Sequence, residues 1–264
     1  MRDPTNATPF PRHLWQEELQ ILTRHRLHHD PAFAKFARHT TLVGVLNNAE
    51  RWVVNVHRVE AQARDEGKLL YRWPIQFKGH RKLPPQQLRA LREQNETLYE
   101  YALQGAPVNI TENICVPLAL ANGSVGRIEG LVFAPEGSET KTTHAEAASA
   151  AAACIREGHW VVTLAKPPLA LVVSLPGGAL AHAPDNMKVS MGGNDCVLLC
   201  QKAEYTHKLP LVRGDMAARI KMKGYDLEGT HAFPYQLGYS CTIHKLQVST
   251  RGASRPAGRS DVLY

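Results

Sequence analysis

The sequence predicts an α/β domain that is interrupted by a smaller β-rich region, and three observations predict it. "TTLVGVL" (residues 40–46) reads as a short strand, and a helix-length stretch closed by Gly67 follows Asn47 and Asn48. After Gly105 the helical periodicity gives way to short β-rich runs. Near the end of the chain, "QLGYSCTI" reads as another apolar strand, and polar residues follow it directly.

The first part of the chain alternates helices and strands. Leucines at helical spacing in residues 13–39 predict a helical lead-in over residues 1–40. The strand of residues 40–46, its helix and a second strand-like run, "KLLYRWPIQF", predict one α/β unit over residues 41–105. In that unit the pair Pro84-Pro85 is expected to open another helix, which continues to about Gln104.

The β-rich region extends over residues 106–215. Asn122-Gly123 is a strong signal for a tight turn, and two prolines separate the strand-like runs "HWVVTLA" and "LALVVSL". An alanine-rich stretch from His144 to Cys154 is expected to form a helix at the surface. These features predict a small β-barrel inserted into the α/β domain, to which residues 216–264 return.

Composition limits the class of protein. Of the 264 residues, 44% are hydrophobic and 21% charged, which is typical of a soluble globular protein. No apolar run approaches the roughly 18–20 residues that cross a bilayer, and the N-terminus lacks the apolar segment of a signal peptide. We therefore expect an intracellular protein, nuclear or cytoplasmic and not secreted, with no membrane partner and with its five cysteines reduced.

Charge and cysteine spacing leave the partner open. The net charge of +7 permits a nucleic-acid partner without proving one, and the densest basic runs, "KGHRK" and "RIKMKG", are each typical of a solvated face. Cys196 and Cys200 lie four residues apart, on one face of a predicted strand. Since no second pair of suitable spacing exists, we interpret them as core cysteines and expect no metal site.

Three segments combine residue types that suit a nucleic-acid contact. "NAER" begins at Asn48 where a strand gives way to a helix, with Asn55 behind it, and such a turn offers N–H groups and amides to a phosphate. The alternative is that an asparagine only caps the helix. "NITENICVPLALANGSVGRIEG" has turn glycines, and it could equally be a simple hairpin. "TIHKLQVST" places a hydroxyl, an imidazole, an ammonium and an amide at the end of a strand.

In this order, "LNNAERWVVN", "NITENI…LANGSVGRIEG" and "FPYQLGYSCTIHKLQVST" resemble the second half of the Pif/RecD-like DNA helicases of superfamily one. The third segment is the most specific, and the positions in register with the family are Phe233, Pro234, Gly238, Tyr239, Thr242, His244, Lys245, Gln247 and Thr250. The resemblance covers residues 40–264. It implies a RecA-like (P-loop NTPase-like) second domain with an inserted small SH3-like β-barrel.

The resemblance also implies a partner and site residues. Asn48, Thr242 and His244 would contact the backbone of single-stranded DNA, and Lys245 would add a positive charge near the same groove. A hydroxyl and an imidazole donate to phosphate without reading the base sequence, as a motor that steps along any sequence requires. Full-length members of the family use ATP and Mg²⁺, whereas this chain is expected to hold no cofactor by itself.

Departures from the family bear on activity. Gln247 and Thr250 lie where the family couples this strand to the nucleotide cleft, but Val248 replaces the usual glycine and removes conformational freedom. The sequence ends at Tyr264, before the family's final arginine, and it has neither a GxxxxGK[ST] loop nor the first RecA-like domain. We therefore predict that the isolated chain is a fragment that hydrolyses no ATP. DNA-stimulated hydrolysis by the purified chain, abolished by a mutation within it, would contradict this.

Two other functions stay open. The chain could be a non-enzymatic interaction module that kept the fold and lost the DNA contact. It could also be one half of a split helicase, with a separate chain that carries the first RecA-like domain as its partner. A titration of the chain with single-stranded DNA at two salt concentrations separates the first of these from a DNA-binding function.

Overall fold

The computed structural model describes residues 42–46, 48–77, 84–93, 96–116, 120–176, 180, 188–191, 193–201, 207–208 and 228–242. The helical lead-in predicted for residues 1–40 and the basic runs at 78–82 and 219–224 lie outside these residues. Within the described part of the chain, no helix is long and apolar enough to cross a membrane.

Three α-helices are described, together with one 3₁₀ turn over Glu96–Leu98. They are α1 (Asn48–Glu66), α2 (Pro85–Glu93) and α3 (His144–Arg156). Gly67 follows α1 with a φ of +63°, as its predicted role in ending that helix requires. A capping box starts α3, because Thr143 Oγ1 accepts the N–H of Glu146 while the Glu146 carboxylate accepts the N–H of Thr143.

Fourteen strands are assigned in the described residues. They are β1 (Val43–Val45), β2 (Leu70–Pro74), β3 (Gln76–Phe77), β4 (Tyr99–Ala102), β5 (Pro107–Ile110), β6 (Val125–Val132), β7 (Val161–Thr163), β8 (Ala170–Ser174), β9 (Val189–Met191), β10 (Asn194–Cys200), β11 (His207–Lys208), β12 (Glu228–His231), β13 (Tyr235–Leu237) and β14 (Ser240–Thr242). They form four sheets, ordered β13-β5-β6-β8-β10-β9, β4-β2-β7, β11-β12-β3 and β1-β14.

The largest sheet is antiparallel throughout its six strands. Five of the strands come from the stretch predicted to be β-rich, and β13 adds the sixth. Gly123 has a φ of +95° in the tight turn between β5 and β6, which is why Asn122-Gly123 was an informative signal. The structure therefore shows a mixed α/β chain, and the SH3-like identity of this sheet stays a prediction.

The region from Pro84 to Gln104 differs from its prediction. The helix that begins there ends at Glu93, and residues 99–102 form β4. The strand β4 pairs antiparallel with β2, and three of its four residues are buried. Tertiary pairing has therefore overridden a sequence that is rich in helix formers.

The predicted α/β unit of residues 41–105 is also arranged differently. β1 and β2 flank α1 in sequence but lie in different sheets, since β1 pairs with β14 and β2 with β4 and β7. Two pairings cross the predicted domain boundaries: β7, inside the predicted insertion, joins β2, and β13, beyond it, joins β5. The four-segment division and the RecA-like assignment remain predictions.

The two cysteines of β10 have different surroundings. Cys196 is buried as predicted, but Cys200 is exposed, which corrects its interpretation as a core residue. Strand β9 pairs with β10 only as far as Cys196. It does not extend along Leu198 and Cys200, and both of these residues are exposed. The five cysteines all lie in the described residues and none forms a disulfide, and these residues contain no group of three or more His, Cys, Asp or Glu side chains that could hold a metal ion.

Candidate nucleic-acid interface

Two parallel strands bring distant parts of the chain together. β1 pairs with β14 in a register that sets Val43 opposite Ser240 and Val45 opposite Thr242. Both strands therefore end at the same level, since Val45 and Thr242 are their last residues. Helix α1 begins at Asn48, shortly after β1 ends, so this asparagine lies at the same end of the pair. We call this end, formed by Val45, Asn48 and Thr242, the carboxyl rim.

The carboxyl rim contains two of the residues for which a DNA contact was predicted. Asn48 is exposed and Thr242 is partly exposed. In the described residues the sheet that ends at this rim has two strands, β1 and β14. The other predicted site residues follow Thr242 in sequence but lie outside the described residues, so their roles stay predictions: His244, Lys245, Gln247 and Thr250.

Asn55 fixes β14 against α1 through a buried amide. Its Nδ2 donates to the carbonyl of Leu237 at 2.7 Å, and its Oδ1 accepts the hydroxyl of Ser240 at 2.8 Å. A carbonyl can only accept, so the amide nitrogen has to face Leu237. Asn55 is 5% exposed. It is therefore a positioning residue for β14, and its amide is not free to grip a phosphate behind Asn48.

Tyr239 forms a second link between β14 and α1. Its hydroxyl donates to Gln62 Oε1, and both side chains are buried. Burial raises the pKa of Tyr239, so the hydroxyl stays protonated and keeps its role as a donor. The preceding Gly238 donates its N–H to the carbonyl of Pro107 at 2.7 Å, and a Cβ there would lie 3.2 Å from that carbonyl carbon. Gly238 and Tyr239 therefore have structural roles in the motif.

Phe233 and Tyr235 attach the same motif to the β4-β2-β7 sheet. The Phe233 ring packs edge-to-face on Trp73 with centroids 5.7 Å apart, and the Tyr235 hydroxyl donates to the carbonyl of Tyr101 at 2.7 Å. The Glu100 carboxylate accepts the Phe233 N–H at 2.9 Å and the Trp73 indole N–H at 2.7 Å. Burial raises the pKa of Glu100 to about 7, although both N–H donors act in the opposite direction.

A carboxylate lies at the start of α1. Glu50 Oε2 accepts the backbone N–H of Leu46 at 3.0 Å. An acidic side chain in the first turn of a helix is stabilised by the positive end of the helix dipole, the same feature that would attract a phosphate. A phosphate at this turn would therefore meet a like charge. The Glu50 carboxylate therefore makes the start of α1 less suited to an anion than a helix N-terminus without an acidic side chain.

A positive charge lies beside β14. The Arg51 carbonyl is 3.1 Å from the Ser240 hydroxyl, which places this residue next to the strand. Burial lowers the pKa of Arg51, and the nearby Cys241 thiol acts in the opposite direction. Because an arginine side chain keeps its proton in proteins even when its pKa falls, Arg51 carries a positive charge on a side chain that is partly buried.

The sequence did not reveal the positioning roles of Asn55 and Gln62. Both residues lie on the buried stripe of α1, together with Val56, Val59 and Ala63. A buried amide requires hydrogen-bond partners. Two amides within an apolar helical stripe therefore indicate that both side chains are hydrogen-bonded in the interior. The sequence does not show the partners, because these are far away along the chain: Leu237, Ser240 and Tyr239.

No protein-family model and no curated protein matches the sequence. Several solved structures of Pif1 helicases share a limited resemblance with it. Unliganded Pif1 from Bacteroides sp is 13% identical with a TM-score of 0.36, over 81% of this chain and 45% of that chain. Pif1 from Candida albicans is 16% identical with a TM-score of 0.38, over 83% and 42% of the two chains. Bacteroides Pif1 bound to single-stranded DNA is 13% identical with a TM-score of 0.35, over 78% and 32%.

The extent of these likenesses is limited in three ways. The chain spans less than half the length of each of these solved chains. The sequence identities and the TM-scores are both low. The assignment of a site in this protein therefore depends on the contacts of its own residues.

Proposed function

We propose that this chain provides a contact for the backbone of single-stranded DNA, as the second half of a Pif/RecD-like helicase would. One observation carries the proposal: Thr242 ends β14 directly opposite Val45, so the polar motif begins at the same end of the sheet as Asn48. In open α/β sheets, ligands bind outside the carboxyl ends of parallel strands. The motif "TIHKLQ" begins at Thr242 and continues beyond the described residues, and it would supply neutral and cationic donors for such a contact.

The proposal includes a fold and a context. The part that carries β1, α1 and β14 would be the RecA-like second domain, and the antiparallel sheet would be its SH3-like insertion. Gln247 and Thr250 would couple the DNA contact to a nucleotide cleft. ATP and Mg²⁺ would then be held by the full-length helicase, or by an assembly in which a separate chain supplies the first RecA-like domain.

Thr242→Ala is expected to weaken the binding of single-stranded DNA by about 0.5–1.5 kcal/mol, the usual contribution of one hydrogen bond. The loss should be similar for every base sequence, because a backbone contact carries no base information. Fluorescence anisotropy with labelled oligonucleotides at two salt concentrations measures both properties.

Glu50→Gln should strengthen binding, since it removes a negative charge at the rim and keeps an acceptor for the Leu46 N–H.

The salt dependence separates the predicted roles. Lys245→Ala should reduce the slope of log K against log salt by about 0.7, the value for one phosphate of a single strand, whereas Thr242→Ala should leave the slope unchanged. Thr140→Ala is the matched control, because Thr140 is exposed in a turn before α3. If the Thr242 and His244 alanine variants both bind DNA as tightly as this control, the proposal is wrong.

A protein-interaction module is the second candidate. It is favoured by apolar side chains that are exposed near the carboxyl rim: Leu46 is 73% exposed and Val53 in α1 is 54% exposed. Apolar side chains that stay exposed at a surface can contribute to a contact with another protein. A chain that shows no binding of single-stranded DNA at low salt would favour this candidate over the DNA contact.

A further inference from the structure

An open pocket of about 530 Å³ lies between the end of α3 and strand β7. Its volume is in the range of sites for small ligands. Polar and aromatic side chains line one part of it, namely Arg72, Glu157, His159, Trp160 and Thr163, and small residues of α3 line another part. We call it the Trp160 pocket.

The first feature of the Trp160 pocket is a partly exposed indole. Trp160 is 36% exposed, and the Arg64 guanidinium lies 4.7 Å from the ring centroid. The backbone of this tryptophan is fixed, because its carbonyl accepts the Leu70 N–H at 2.8 Å. The Arg64 guanidinium covers one face of the indole, so a nucleobase would stack on the other face of the ring.

The second feature is an oriented guanidinium. Arg72 lies opposite Thr163 in the β2–β7 register, and its Nε donates to Thr163 Oγ1 at 2.9 Å. The same guanidinium lies over the Tyr99 ring at 4.7 Å from the centroid. An arginine whose plane is set by a hydrogen bond and an aromatic ring is pre-organised to recognise phosphate oxygens.

Two carboxylates restrict how a ligand can lie. Glu157 lines the pocket, with a carboxylate oxygen 3.8 Å from His159 Nε2. Glu60 of α1 lies near Arg64 and Arg72, and burial raises its pKa. A phosphate would avoid Glu157 and face the Arg72–Thr163 side, where Glu60 offsets part of the Arg72 charge, whereas an amino group of a base suits the carboxylate acceptor of Glu157.

We propose that the Trp160 pocket binds a nucleotide, with the base stacked on the Trp160 indole and the phosphate facing Arg72 and Thr163. The nucleotide is either free or one residue of a nucleic-acid strand, since both present the same base and phosphate. This site is separate from the carboxyl rim. Arg64 follows Asn48 by 16 residues in α1, which is about 24 Å along the helix axis. The proposal therefore does not depend on the DNA contact at Thr242.

Calorimetric titration of the full 264-residue chain with dAMP, and separately with a short oligodeoxyadenylate, tests the proposal. Trp160→Ala should weaken binding roughly 5- to 100-fold, the usual effect of losing one base–aromatic stack. Arg72→Gln should weaken it roughly tenfold or more, because it removes a charged donor. Arg89→Gln on α2 is the charge-matched control and Ile155→Ala the control for an exposed apolar residue. Far-UV circular dichroism verifies that each variant is folded.

The outcomes separate the two sources of the nucleotide. Binding of dAMP that Trp160→Ala weakens indicates a free nucleotide, whereas Trp160-dependent binding of the oligonucleotide alone indicates a residue within a strand. If Trp160→Ala does not fold, the Arg72→Gln titration decides. The proposal is overturned if the wild type binds neither probe, or if folded Trp160 and Arg72 variants bind as the controls do. Thr242→Ala should leave dAMP binding unchanged, so this test and that of the carboxyl rim can fail independently.

Discussion

The free energy of unfolding is expected to fall by about 3 kcal/mol as the pH rises from about 4.5 to about 7, because Glu100 has a different pKa in the folded and unfolded states. Burial raises the pKa of this carboxyl from 4.5 to about 7, so the folded state holds a proton that the unfolded chain has already released. The stabilisation by this group is complete below pH 4.5 and is lost as the pH rises through about 7. Above that range both states are ionised and the effect is constant.

Glu100→Gln isolates this effect. The amide oxygen can accept one of the two N–H groups, from Trp73 or Phe233, but its NH₂ group then faces the other donor. That mismatch should cost about 1–3 kcal/mol at every pH. Urea unfolding at several pH values should show the variant less stable than the wild type near pH 5. By pH 8 the difference in unfolding free energy between the two proteins should have shifted by about 3 kcal/mol in favour of the variant, because only the wild type has a group that titrates at this position.

The matched control for this experiment is Glu93→Gln, at the exposed end of α2. It makes the same chemical change at an exposed side chain whose ion pair with Arg89, at 2.8 Å, contributes little to stability, so the pH profile should remain close to that of the wild type. Parallel profiles for Glu100→Gln and the wild type between pH 5 and pH 8 would contradict the prediction.

Asn55→Asp is expected to lower the unfolding free energy by about 3–5 kcal/mol at pH 7, the usual loss when a charge is buried without a partner. The amide nitrogen that donates to the Leu237 carbonyl becomes a carboxylate oxygen, and two acceptors then face each other at a site that is 5% exposed. At lower pH a protonated aspartic acid can donate to the same carbonyl. The loss should therefore become smaller as the pH falls.

Guanidinium unfolding of Asn55→Asp and Asn48→Asp gives a matched comparison. Asn48 is exposed in the first turn of the same helix, where a negative charge is favourable, so its substitution should change stability by less than about 0.5 kcal/mol. Equal stabilities for the two variants would show that Asn55 does not hold β14 as described. Since Asn55 contacts Leu237 and Ser240, we also expect Asn55→Asp to weaken any binding that depends on Thr242.

Local features of the fold were readable from the sequence because their causes are local. Gly67 and Gly123 have positive φ angles, the first where α1 ends and the second in the tight turn just before β6, and only nearby residues are needed to expect this. The strand and helix around Asn48, the alanine-rich helix and the β-rich runs after Gly105 also have short-range patterns. The expectation that Asn48 follows one strand and that Thr242 lies at the end of another rests on the same kind of signal.

The partners of those elements required the tertiary structure. An apolar strand such as β1 carries no information on whether it pairs with β2, the next strand along the chain, or with β14, almost 200 residues later. The strand β4 lay in a predicted helix because its residues suit both states, and pairing with β2 together with burial decided the outcome.

The roles of buried polar groups were also decided by tertiary structure. The sequence places Asn55 beside a predicted phosphate turn, but a buried amide takes its role from whichever acceptors lie within hydrogen-bond distance, and here these belong to residues 237–240. Glu100 becomes a buried carboxylate because the chain brings Phe233 against Trp73. The sequence alone determined which residues have the chemistry for a backbone contact, whereas long-range packing decided which of them reach the carboxyl rim and which hold it in place.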